Sequence, residues 1–135
     1  METKPLPTVL VVDDENGILV TLSAILKGNG FTVFGARSGE EAVSLARGIE
    51  PDWVLSDVVM GTLSGIDAAI QIRERCPGCR VVLFSGNALT TDLMAEARSR
   101  GYDFEILSKP FQPTELLQRM LTPVEPDSTT MQLKS

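Results

Sequence analysis

Val9-Leu10-Val11-Val12-Asp13-Asp14-Glu15 is the stretch that decides the fold: four apolar residues in unbroken succession, then three carboxylates. A strand with one face in water alternates apolar and polar residues. A strand covered on both faces reads as a continuous apolar run, as in parallel sheets. Four more runs follow, Phe31 to Phe34, Trp53 to Leu55, Val81 to Phe84 and Phe104 to Leu107, the last holding Glu105 and therefore placed nearer an edge. Helical stripes lie between and after them: Ile18, Leu22, Ile25 and Leu26; Ala42, Leu45, Ala46 and Ile49; Ile66, Ala69 and Ile70; Leu89, Leu93 and Ala97; Leu116, Leu117, Met120 and Leu121. Gly28-Asn29-Gly30, Gly48, Pro77-Gly78 and Gly101 are read as stop signals for the first four, and Pro113 suits the first turn of the fifth. Strand and helix thus alternate five times. The expected fold is α/β, a doubly wound five-stranded parallel sheet of (βα)5 order.

The chain has 135 residues, one domain at about 150 residues per domain and too few for a (β/α)8 barrel of roughly 250. A chain of this size buries about two-thirds of its unfolded surface. Hydrophobic residues make up 43% and charged residues 22%, which suits a globular domain rather than a disordered one. Residues 1–7 are read as an N-terminal extension without an apolar signal region, 8–121 as the domain, and the polar, proline-rich 122–135 as a disordered tail or the start of a linker. No window has the roughly 18 consecutive apolar residues of a membrane span, so no membrane is expected. The net charge of −6 and the lack of a basic run disfavour nucleic acid, which needs Lys and Arg to displace counterions. A basic protein partner remains compatible.

Histidine is absent, which excludes Ser-His-Asp and Cys-His catalysis, His-ligated zinc and haem, and a role as a histidine phosphocarrier. The two cysteines, Cys76 and Cys79, stand in Cys-Pro-Gly-Cys. A thioredoxin-like motif opens a helix directly after a strand; this one closes a helical pattern and precedes a strand, so it is read as a surface turn. Reduced thiols suit a cytosolic protein.

Ligands of open α/β sheets bind beyond the carboxyl ends of the strands. Asp13 and Asp14 follow the first run, Asp57 the third, Ser85-Gly86-Asn87 the fourth and Lys109 the fifth, while Gly35-Ala36 after the second brings no chemistry. Each residue alone has a plainer explanation: Asp14 as a helix cap, Asp57 and Ser85 as turn residues, Lys109 as a solvated side chain. Their common position at strand ends is what argues for a site. Two carboxylates about 5 Å apart repel by roughly 3 kcal/mol at an effective dielectric of about 20. Three in one pocket take up protons or bind a cation, and an all-oxygen set favours a hard one, magnesium before calcium. Magnesium keeps positions open for phosphate oxygens. A lysine and a hydroxyl opposite it would complete a phosphoryl cradle, in which a carboxylate can itself be the nucleophile.

These residues resemble the receiver domain of two-component response regulators, of the stand-alone type, over residues 8 to 121. Val11-Val12-Asp13-Asp14-Glu15 resembles the acidic pair after the first strand. Asp57-Val58-Val59-Met60-Gly61-Thr62-Leu63-Ser64-Gly65 resembles the segment after the phosphoacceptor. Phe84-Ser85-Gly86 resembles the hydroxyl switch with its small neighbour, and Lys109-Pro110-Phe111 the lysine-proline signature, whose peptide bond is cis in the family. The resemblance implies a flavodoxin-like three-layer fold. It implies that Asp57 accepts a phosphoryl group from the histidine of a sensor kinase or a phosphotransfer protein. Mg2+ would be held by Asp14, Asp57 and the backbone carbonyl of Val59, with Asp13 assisting through water. Lys109 would pair with phosphoryl oxygens, Ser85 would reorient toward them, and the backbone amide of Gly86 would come close. Such a receiver catalyses its own phosphorylation and dephosphorylation without being a conventional turnover enzyme. It would work in the cytoplasm, as a monomer or weak homodimer, and signal to a downstream protein through the face of helix four, strand five and helix five.

Three departures stand out. Gly61 replaces a usual proline. Ile106 stands where the family has Tyr or Phe, which puts the coupling to the output face in doubt. Val59, with Asn87, flanks the path of the attacking water, and an apolar Val59 cannot position that water, so a long-lived phosphorylated state is expected. The competing readings are a phosphorylation-independent pseudo-receiver that binds proteins and a receiver fragment of a larger regulator. A flavodoxin-like electron carrier is disfavoured because Asp13-Asp14-Glu15 would repel phosphate. A phosphatase of related topology is disfavoured because its two aspartates are not adjacent.

Overall fold

The computed structural model describes residues 7–59, 64–86 and 90–121. The extension before Pro7, Gly61, Asn87, Leu89 and the 122–135 tail lie outside the described residues. Strand and helix alternate as β1 (Thr8–Val12), α1 (Asn16–Gly28), β2 (Thr32–Ala36), α2 (Gly39–Ile49), β3 (Trp53–Asp57), α3 (Gly65–Arg75), β4 (Arg80–Ser85), α4 (Thr90–Ser99), β5 (Glu105–Ser108) and α5 (Pro113–Leu121). The strands form one parallel sheet in the order β2-β1-β3-β4-β5.

Successive side chains of a strand point to opposite faces, so each apolar run feeds two cores. Leu10, Val12, Val54, Val81 and Leu83 join α2, α3 and α4 through residues such as Ala42, Ile66, Ile70 and Met94. Val9, Val11, Leu55, Val82 and Phe84 join α1 and α5 through Leu22, Leu26, Leu116 and Met120. The result is three layers, as expected. Burying a side chain such as Leu55 or Phe84 contributes about 1.5–3 kcal/mol.

Several local expectations are corrected. The second run, Phe31 to Phe34, was not marked as an edge, yet β2 is an edge strand, with Thr32, Phe34 and Gly35 exposed. Phe31 and Phe104 precede their strands and are buried in the cores. Gly48 does not stop α2. The helix runs to Ile49, and Glu50 takes the left-handed cap conformation at φ 47, followed by Pro51. The stop is the proline, which cannot continue the helix. At the starts, Ser38 Oγ accepts from the Glu41 N–H of α2, and Ser64 Oγ accepts from the Asp67 N–H of α3.

The strand order reverses between β1 and β3. In a doubly wound sheet, a crevice for ligands opens at this switch point, beyond the carboxyl ends of the strands. Asp13 and Asp57 stand there.

Candidate functional site

Val12 pairs with Ser56 across β1 and β3, which sets Asp13 abreast of Asp57. One carboxylate oxygen from each of Asp13, Asp14 and Asp57 lies within 4.8 Å of the other two. The three differ in setting. Asp14 is exposed, Asp57 is half-buried, and Asp13 is fully buried. Asp13 Oδ1 accepts the Glu15 N–H at 2.9 Å, while Oδ2 is buried with no hydrogen-bond partner. Burial pushes the Asp13 carboxyl above the usual 3.8. The Glu15 N–H pulls it back, Asp57 raises it, Lys109 lowers it and Asp14 raises it. A buried carboxylate oxygen without a donor, beside two more carboxylates, is a donor set that fits a hard divalent cation.

β5 delivers the counter-charge. Ser85 pairs with Ser108, and the Lys109 N–H donates to the Ser85 carbonyl at 2.8 Å, which continues the ladder one residue past the strand. From there Lys109 Nζ reaches Asp57 Oδ2 at 3.0 Å. The peptide bond to Pro110 is cis, as the resemblance implies. Asp57 Oδ1 accepts the Val59 N–H at 3.3 Å. Gly86 is exposed beside Lys109, and a Cβ there would lie 3.4 Å from that of Lys109. The structure thus brings together Asp13, Asp14, Asp57 and Lys109. It places Ser85, Gly86 and Val59 at the rim, Val59 with its side chain 54% exposed.

Two residues of the site were given no role in the sequence reading. Gly65 opens α3 with its N–H on the Val58 carbonyl at 2.8 Å. A Cβ at Gly65 would overlap the Asp57 carbonyl oxygen and lie 2.9 Å from Ser56 Oγ. The buried Ser56 hydroxyl donates to that same carbonyl at 2.9 Å. Both shape the corner from which Asp57 projects. The glycine at the end of the Asp57–Gly65 segment was the available signal.

An open groove of about 830 Å³ runs from Lys109 between α1 and the start of α5, walled by Ile18, Thr21, Leu22, Phe84 and Phe111. The rings of Phe84 and Phe111 lie 4.8 Å apart at 43°. On the far side of β5, Ile106 is half-buried against the core of α2, α3 and α4. Arg119 Nη1 donates to its carbonyl at 3.4 Å. Glu105 beside it bridges Arg80 at 2.8 Å and Arg119 at 3.7 Å.

The family description "Response regulator receiver domain" matches residues 9–121. The chain is 34% identical over 113 residues to the probable transcriptional regulatory protein TcrX of Mycobacterium tuberculosis, covering 84% of this chain and 47% of TcrX. It is 31% identical over 112 residues to the DNA-binding response regulator MtrA of Mycolicibacterium paratuberculosis, covering 83% and 48%. The crystal structure of a response regulator receiver domain protein from Clostridium thermocellum superposes with a TM-score of 0.72 at 31% identity, covering 82% of this chain and 88% of that one. The chain belongs to the response regulator receiver domain family, the signal-receiving module of two-component systems. It spans about half the length of the curated relatives it matches. Among the described residues, no helix is long and apolar enough to cross a membrane.

Proposed function

We propose that Asp57 is the phosphoacceptor, receiving its phosphoryl group from the phosphohistidine of a sensor histidine kinase or a phosphotransfer protein. The observation that carries this reading is the clustering of Asp13, Asp14 and Asp57 within 4.8 Å, with Lys109 3.0 Å from Asp57. An Asp57 oxygen attacks phosphorus, the P–N bond to the imidazole breaks, and its electron pair leaves with the ring nitrogen. A mixed anhydride remains on Asp57. Lys109 holds the carboxylate in the ground state and takes up phosphoryl charge as transfer proceeds. Asp13, Asp14, Asp57 and the Val59 carbonyl would hold Mg2+. When bound, the ion neutralises phosphoryl oxygens. Ser85 and the Gly86 amide would donate to a phosphoryl group on Asp57.

The groove beside Lys109 is the approach for the donor's histidine-bearing segment, its apolar walls matching an apolar helix face. The output surface is that of α4, β5 and α5, where Ile106 cannot perform an aromatic swing and the Glu105–Arg119 pair marks β5. The domain is assigned a cytoplasmic place and a monomeric or weakly dimeric state. No nucleic-acid contact is assigned to it; TcrX and MtrA, named as transcriptional and DNA-binding regulators, are about twice its length.

The test is intact mass after incubation with a small phosphodonor, with and without magnesium, beside Asp57→Asn. A single phosphoryl increment that needs both magnesium and Asp57 is expected. No increment, from small donors or kinases, would replace this reading with a pseudo-receiver that binds partners unmodified.

A further inference from the structure

Cys76 and Cys79 lie at the opposite end of the sheet from Asp57, in the turn between α3 and β4. Cys76 caps α3, its N–H on the Ile72 carbonyl at 2.8 Å. The Cys79 N–H returns to the Cys76 carbonyl at 3.0 Å. This closes a β-turn with Pro77 and Gly78 at its centre, Pro being favoured at the first central position. A β-turn holds its end Cα atoms within about 7 Å, and a disulfide needs about 4.4–6.8 Å. Both side chains pack on the same core cluster, Cys79 buried within it and Cys76 half-buried against it. Both cysteines therefore lie on the same face of the sheet.

We propose that Cys76 and Cys79 form an intra-turn disulfide when the protein meets a hydroperoxide, making this turn a redox modification site separate from the phosphoacceptor. The two thiols differ in access. Cys76 also lines a polar cavity of about 330 Å³ between α2 and α3, beside Arg47, Glu50, Glu74 and Arg75. Cys79 is 3% exposed and its thiol donates to the Arg80 carbonyl at 3.6 Å. Burial shields that thiol from an external oxidant and pushes it up to about 12, whereas Cys76 is half-buried beside the cavity. Cys76 is thus attacked first and Cys79 resolves it. The Cys76 sulfur takes the terminal oxygen of the hydroperoxide, the O–O bond breaks, and the thiol proton leaves with the alkoxide as the alcohol, giving a sulfenic acid. Cys79 sulfur then attacks Cys76 sulfur, the S–OH bond breaks, and the Cys79 proton leaves with the hydroxide as water. Two thiols and one hydroperoxide become one disulfide, one alcohol and one water.

Arg75 and Arg80 bracket the pair, so trypsin releases Cys-Pro-Gly-Cys-Arg as one peptide. The full chain is treated with hydrogen peroxide, alkylated and digested. The expected peptide has lost two hydrogens and resists alkylation, and dithiothreitol restores both sites. Cys79→Ser should instead accumulate sulfenic acid at Cys76, trapped by dimedone, and Cys76→Ser should leave Cys79 reduced. Phosphodonor labelling of the oxidised protein should match that of the reduced one. The proposal is overturned by a treated peptide that alkylates twice, by Cys76 sulfinic acid beside a free Cys79, or by a cross-link between two chains.

Discussion

Asp13→Asn should make the metal-free protein more stable. The substitution is close to isosteric. The amide oxygen keeps the bond from the Glu15 N–H, and the amide nitrogen replaces the partnerless Oδ2 with a donor beside two carboxylates. Two unit charges at the 4.8 Å limit of this cluster repel by about 3 kcal/mol at an effective dielectric of about 20. Solvent screens the share due to exposed Asp14, and Lys109 offsets part of the share due to Asp57. About 1–2 kcal/mol remains, or roughly 4–8 °C in the thermal midpoint of a domain this size.

The pH dependence has a definite sign. The folded state holds the Asp13 proton more tightly than the unfolded chain does, because its carboxyl lies above 3.8. The parent therefore loses stability as pH rises from 3.8 through the folded pKa, and the asparagine variant does not. The gap between the two should vanish below pH 3.8 and be full at neutrality. Magnesium should reverse it, since a ligand at 100 times its Kd adds about 2.7 kcal/mol to the parent and little to a variant with a weakened cluster. Thermal melts in EDTA and in magnesium at pH 3.5 and pH 7 read all four states. A variant less stable than the parent in EDTA at pH 7, or one with an undiminished magnesium increment, would refute the electrostatic account of this cluster.

Three further substitutions probe the corner, the cation and the lifetime. Gly65→Ala should cost about 1–3 kcal/mol in urea unfolding by overpacking against the Asp57 carbonyl. An unstrained glycine-to-alanine change would stabilise by about 0.4–1 kcal/mol, so the sign alone decides. Lys109→Met should slow labelling by a small phosphodonor on the order of 100-fold with the circular dichroism unchanged, and equal labelling would remove Lys109 from the transfer step. Val59→Asn should shorten the lifetime of the phosphorylated protein at least about tenfold by orienting the hydrolytic water. It should leave stability within about 0.5 kcal/mol, since the side chain is 54% exposed; an unchanged lifetime would assign the slow hydrolysis to something other than residue 59.

The interior of the sheet was legible because β1, β3 and β4 are covered on both faces, and a doubly covered strand writes its burial directly into an unbroken apolar run. β2 shows where that code ends. Phe31, Val33 and Phe34 look like a covered strand, yet β2 sits at the margin with Phe34 38% exposed. Glu105 within the run marked β5 as an edge strand, but β2 carries no such charge, and its side chains alone do not tell edge from centre. The end of α2 shows a second limit. Gly48 is a favourable stop, but the helix continues to Ile49 because Pro51 sets the exit and Glu50 accepts the left-handed conformation.

The site follows the same division between what lies along the chain and what meets through space. Asp13, Asp14, Asp57, Ser85 and Lys109 were legible because a parallel sheet sends every strand's carboxyl end to one edge, so position along the chain stands in for position in space. That substitution fails for residues whose importance is an approach between two backbones. Gly65 is eight residues from Asp57, and nothing in its neighbours reports that a Cβ would collide with the Asp57 carbonyl. It fails also for the adjacent pair Asp13 and Asp14, identical in the sequence and unlike in the fold. The ladder bond from the Asp13 N–H to the Ala36 carbonyl at 3.1 Å keeps Asp13 in the sheet and buries it, and the chain then turns toward α1 and exposes Asp14. The first aspartate is therefore the one whose charge the fold strains against and a bound cation would relieve. The second can be changed at smaller cost to the metal-free protein, and a melt of Asp14→Asn in EDTA should show a shift less than half that of Asp13→Asn.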